Sequence, residues 1–89
     1  MDNPLLINIK PDIIIDSRLP SCCAGPDVQF ISDIRYCKEE TVIEFIAVDK
    51  NKIQEIQYWL NKIGMADGFL GVIEESGFYK IYVKKIKNL

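Results

Sequence analysis

The sequence predicts an α+β fold: a single helix over about 50–63, packed on an antiparallel or mixed sheet of five to six short strands in the order β-β-loop-β-β-α-β-β. Three observations predict it. One segment has the apolar period of an amphipathic helix. The stretches on either side of it are β-branched, aromatic or alternating. A Pro- and Gly-containing tract over 16–27 interrupts the pattern and reads as the longest loop.

Taken in chain order, LLINI (5–9) and DIII (12–15) read as short strands. Pro11 separates them, because proline cannot donate to a ladder. DSRLPSCCAGPD (16–27) follows as the loop. VQFISDIRY (28–36) places Val28, Phe30, Ser32, Ile34 and Tyr36 on alternate positions, which predicts a strand. CKEE (37–40) then joins it, as a hairpin, to the strand TVIEFIAV (41–48).

The helix KNKIQEIQYWLNKI (50–63) has Ile53, Ile56, Leu60 and Ile63 on one stripe, widened by Trp59. Asp49 fits an N-cap and Gly64 a left-handed C-terminal stop. FLGVIE (69–74), the turn EESG (74–77) and FYKIYVKKI (78–86) predict a closing hairpin. Alternation puts Tyr79, Ile81 and Val83 toward the core, with Phe78, Lys80, Tyr82 and Lys84 on the other face.

With 89 residues, the chain is expected to form one domain, 1–89. Its hydrophobic fraction of 48% is enough to offset chain entropy, which argues against disorder. No apolar run approaches the roughly 18 residues of a membrane span, so no membrane association is expected. The opening MDNP lacks a basic leader, and three cysteines make an odd count, so the expected location is the cytoplasm with free thiols. Residues 1–49 hold nine acids and four bases, and residues 50–89 hold four acids and seven bases. That polarity can orient a partner or a second copy of the chain, although two normally solvated faces explain it equally simply.

The segment TVIEFIAVDKNKIQEIQYWLNKIGMADGFLGVIEESGFYKIYV (41–83) resembles small uncharacterised prokaryotic domains of ferredoxin-like, ACT-like type. The likeness lies in a strand, then V-D-K-N-K-I-Q-E-I opening a helix, then D-G-F-L-G-V-I-E-E-S-G. It covers about half the chain and departs from a full ferredoxin-like pattern, because two prolines and a glycine occupy 17–27, where a second helix would stand. The resemblance implies a binding or regulatory module that assembles through its sheet, and it carries over no active site.

The chain has no histidine. Ser-His-Asp triads, Cys-His pairs, two-His zinc sites and imidazole acid–base chemistry are therefore excluded within one chain. Neither G-x-G-x-x-G nor G-x-x-x-x-G-K occurs, and no calcium-loop motif is present. The acid pairs Glu39/Glu40 and Glu74/Glu75 read as solvated turn residues.

Cys22, Cys23 and Cys37 remain. Three thiolates suit zinc or an iron–sulfur cluster with one further ligand, but no C-x-x-C spacing is present. Adjacent cysteines also suit redox or persulfide-type reactivity, with Arg18 near enough in sequence to lower a thiol pKa. The competing reading is packing, since free cysteine behaves as a small hydrophobe.

The expected function is a small, non-catalytic protein-interaction or regulatory module, self-associating or joining a larger assembly through a sheet face or edge. Phe30, Tyr36, Phe78, Lys80, Tyr82 and Lys84 are the candidate contact residues. No cofactor is required by this reading. One alternative is a cysteine-centred redox or metal protein built on Cys22, Cys23 and Cys37. Another is single-stranded RNA binding through 78–84, where aromatics alternate with lysines; an isoelectric point near 5.0 disfavours nucleic acid.

Overall fold

The computed structural model describes residues 9–19 and 25–86. The elements run β1 (Ile13–Asp16), α1 (Pro26–Tyr36), β2 (Val42–Ala47), α2 (Asn51–Lys62), a short 3-10 turn (Ala66–Gly68), β3 (Phe69–Glu75) and β4 (Phe78–Lys84). The four strands form one sheet in the order β1-β2-β4-β3. β1 and β2 are parallel, with Ile15 opposite Phe45. β4 is antiparallel to both of its neighbours, with Ile81 opposite Phe45 on β2 and Val72 on β3.

The α+β class holds, but its helix count needs correcting: residues 28–36 are helix, so the described chain has two helices and four strands. The hairpin of 28–36 with 41–48 does not form. β2 instead pairs with β1 and β4. The physical reason is an ambiguity of period. Val28, Phe30, Ile34 and Tyr36 satisfy a two-residue alternation, yet Phe30 and Ile34 also stand four apart, on one helical face. Both are buried, at 0% and 1% exposure. Pro26 at the first helical position, Asp27 in the first turn and Arg35 in the last supply start and stop signals that the alternation obscured.

Other elements follow their expected places closely. β1 begins at Ile13, within one residue of the expected strand, and residues 5–8 of the LLINI stretch lie outside the described residues. In α2, Ile56 and Leu60 are fully buried. Asp49 accepts the backbone N–H of Asn51 at 2.9 Å, and Gly64 closes the helix at φ 75°. Beyond Gly64, the Met65 N–H reaches back to the Leu60 carbonyl at 2.7 Å, which satisfies an orphan acceptor of the last turn.

Both helices lie on one sheet face. The core there joins Phe30 and Ile34 of α1, Ile56 and Leu60 of α2, and Ile15, Ile43, Phe45, Ala47, Ile81 and Val83 of the sheet, with Met65. On the opposite face Tyr82 and Ile73 form a second small cluster, joined by Ile9, Val42 and Leu70. The sheet is thus apolar on both sides, as a central β2 reading VIEFIA requires.

Candidate functional site at the β1 to α1 junction

β1 and β2 are parallel, so they finish at the same end of the sheet. β4 begins there, since Ala47 pairs with Tyr79. The three-residue connection from β2 puts the start of α2 at that end too. Lys52 donates to the Asp27 carboxylate at 3.0–3.1 Å and to Glu55 at 2.6 Å, which draws the first turn of α1 against the first turn of α2. The carboxyl ends of two parallel strands and the amino ends of two helices therefore share one edge of the molecule. In open sheets this is where ligand chemistry gathers, because backbone N–H groups point outward there.

The exit from β1 is tightly tied. Ser17 donates to the Ile46 carbonyl through both its N–H, at 3.0 Å, and its hydroxyl, at 2.6 Å. The Leu19 N–H closes a turn onto the Asp16 carbonyl at 3.1 Å. Arg18 donates to Asp16 three times, from its main-chain N and Nε to Oδ1 at 2.9 Å and from Nη2 to Oδ2 at 2.8 Å. The guanidinium also lies 4.3 Å from the ring centroid of Phe78. Hydrogen bonding from Arg18 holds the Asp16 carboxyl below its usual range, and Asp16 in turn raises Arg18. Burial works against the Lys52 ammonium, but its bonds to Glu55 and Asp27 outweigh that and raise its pKa.

The chain between Leu19 and Gly25 carries Cys22 and Cys23, which lie outside the described residues. Both flanking residues belong to the edge just described. Cys37 belongs elsewhere. It follows the last turn of α1, is half-buried, and its N–H caps the Asp33 carbonyl at 2.9 Å. An 11-residue helix separates it from Pro26, a rise of roughly 16 Å. Among the described residues no three His, Cys, Asp or Glu side chains converge as metal ligands.

Four of the six residues expected to form an interaction face share one face of β4, and the other two lie on α1. Phe30 is on α1, in the core, with its ring edge-on to Phe45 at 5.7 Å. Tyr36, also on α1, is 80% exposed at the far end of that helix. Phe78, Lys80, Tyr82 and Lys84 do share the sheet face away from the helices. Tyr82 is buried there, and its hydroxyl donates to Glu44 Oε1 at 2.6 Å. Phe78 is covered by Arg18, and Lys84 pairs with Glu40 at 2.6 Å. Asp16, Arg18 and Lys85 went unnoticed as structural anchors; the D-x-R spacing at the end of a strand was a readable signal for the first two.

A curated relative shares most of this chain. It is a protein of Archaeoglobus fulgidus described as a "putative sulfur carrier protein", 28% identical over 75 residues, which span 84% of this chain and 99% of the relative. No family model matches the chain, and no solved structure matches it. No helix among the described residues is long and apolar enough to cross a membrane.

Proposed function

We propose that this protein is a sulfur carrier, a small module that takes a sulfur atom from one protein and hands it to another. The observation that carries the reading is the nearly end-to-end likeness to the Archaeoglobus protein described in those terms. The chemistry of the chain is compatible with it. Sulfane sulfur transfer needs an accessible thiolate and no histidine, metal or phosphate loop. Cys22 and Cys23 supply two thiols in the sequence between Leu19 and Gly25.

The step is balanced without any outside oxidant. A carrier thiolate attacks the outer sulfur of a donor persulfide. The donor's S–S bond breaks as the carrier's S–S bond forms, and the donor leaves as a thiolate that takes up a proton. The acceptor repeats the exchange in the other direction. A carrier of this kind acts through protein partners, so it remains an interaction module.

Incubation with glutathione persulfide, followed by mass spectrometry of the intact protein, tests this. The expected result is a gain of one sulfur atom, reversed by dithiothreitol, kept in Cys37→Ser and lost when Cys22 and Cys23 are both changed to serine. No adduct, or an adduct on Cys37 alone, would rule the reading out.

A further inference from the structure

We propose that the outer edge of β3 docks an extended segment of a partner protein, which joins the sheet as a further strand with a basic residue beside Glu74 and Glu75 and an aliphatic one beside Val72. The site uses none of the residues invoked for sulfur transfer and stands apart from that reading. β3 ends the strand order β1-β2-β4-β3, and among the described residues no strand pairs with its far side. In an antiparallel edge strand every second residue turns both its N–H and its C=O outward, which makes the edge a template for another chain. A bulge often closes such an edge. Here the irregularity lies at one end, between Phe69 and Gly71, and Val72 to Glu75 stay in unbroken register with β4.

A second observation gives this edge a preferred side chain. Val72 and Glu74 of β3, Tyr79 of β4, and Lys50 and Ile53 at the start of α2 line a cavity of about 240 Å³. Val72 and Ile53 also pack on the main core, so this cavity lies on the helix side of the sheet. An apolar cavity of about 150 Å³ is enough for benzene. The space beside Ile53 and Val72 therefore has room for one aliphatic side chain. A strand added along β3 sends alternate side chains to that side of the sheet. The backbone ladder then supplies attachment and the cavity supplies choice.

Charge selects the rest of the partner. The regular part of the edge reads Val-Ile-Glu-Glu, and both glutamates are exposed. A cation on the incoming strand meets two carboxylates at the hairpin end, and an anion is repelled there. Three cations stand around the edge. Arg18 is held by Asp16, Lys80 lies one strand further in, opposite Ile73, and Lys50 lines the cavity from the α2 side. A second copy of the chain would offer the same acidic strand, so a basic segment is the better match.

The test is titration of the isotope-labelled protein with acetyl-Thr-Lys-Lys-Val-Leu-Thr-amide, read by the amide shifts in two-dimensional NMR, with self-association followed by sedimentation. The expected result is weak, fast-exchanging binding, with shifts centred on residues 72–75 and reaching Ile53. Exchanging both lysines of the peptide for glutamate should weaken binding about ten-fold or more. Two peptides N-methylated at alternate residues, in opposite phase, read the ladder itself. One phase blocks the nitrogens that face β3 and should lose about ten-fold in affinity. The other phase faces water and should bind as the parent does. The double variant Glu74→Gln/Glu75→Gln, with folding checked by circular dichroism, should bind several-fold more weakly and with less dependence on salt.

No binding at millimolar peptide, shifts confined to β1 or to α1, or equal behaviour of the two N-methylated phases overturns the proposal. So does a double variant that binds like the parent. Concentration-dependent shifts at 72–75 without peptide, together with a dimer in sedimentation, would assign the edge to a second copy and overturn it as well.

Discussion

The Lys85 ammonium donates to the Ile34 carbonyl at 2.7 Å and to the neighbouring Arg35 carbonyl at 2.8 Å. Lys85 is fully buried, and its own backbone pairs with Thr41 and Glu40. A cation from the end of the sheet thus caps the last turn of α1, where orphan carbonyls and the helix dipole both favour positive charge. Lys85→Met keeps the stem and removes the cap. The buried Ile34 carbonyl and the partly buried Arg35 carbonyl then lose a charged donor, although the cost of burying the ammonium is also removed. The expected net loss is about 1–3 kcal/mol of unfolding free energy, read by urea denaturation. An unchanged midpoint would mean that water takes the place of the ammonium without penalty.

Tyr82 makes stability depend on alkaline pH. Burial first, and then its hydrogen bond to Glu44, raise the phenol far above its ordinary value. The folded state therefore favours the protonated phenol more than the unfolded chain does. Its contribution is fully present below the unfolded pKa near 10 and is lost as pH rises beyond it toward the folded value. Denaturation curves from pH 8 to 11 should show a fall above pH 10, with a Tyr82 share approaching about 1.4 kcal/mol per pH unit. Tyr82→Phe should remove that share and leave the slopes due to other groups. Identical slopes in the two proteins would contradict the assignment.

How much of this was legible in the sequence differs by element. α2 was readable because Ile56 and Leu60 carry a helical period that no strand pattern imitates. The closing hairpin was readable from alternation, and Ile81 and Val83 are buried on the face that alternation gave them. α1 was hidden because its β-branched and aromatic residues satisfy both periods at once, and burial by tertiary packing decides between them. Lys85 could not be read, since its partners are carbonyls about 50 residues away that only the fold brings near. Cys22 and Cys23 were legible as chemistry. Their setting depends on whether 28–36 is helix or strand, because only a helix puts a positive backbone end after them.

Gly68 packs where no side chain fits. A Cβ at this position would collide with the Lys84 carbonyl oxygen, a backbone atom of β4 that cannot rotate away. Gly68→Ala must therefore push the 3-10 turn off the strand edge. The expected cost is about 1–3 kcal/mol, in the range of overpacked cores, despite alanine's lower unfolded-state entropy. Thermal denaturation checks it; a variant as stable as the parent would show that the turn shifts freely.

Phe30 separates the two placements of 28–36 most sharply. On α1 its ring meets Phe45 edge-on at 5.7 Å and Trp59 at 6.1 Å, and it is wholly excluded from solvent. Removing it leaves a cavity between helix and sheet that the surrounding aromatics cannot fill by small rotations. Phe30→Ala is expected to cost about 3–5 kcal/mol, a large part of the total for a domain of this size. Tyr36→Ala, at the exposed end of the same helix, should cost little, because surface substitutions seldom exceed about 0.5 kcal/mol. A strand with both residues on one exposed face would make the two substitutions equally mild, so the ratio of the two losses in urea denaturation reports directly which placement the chain adopts.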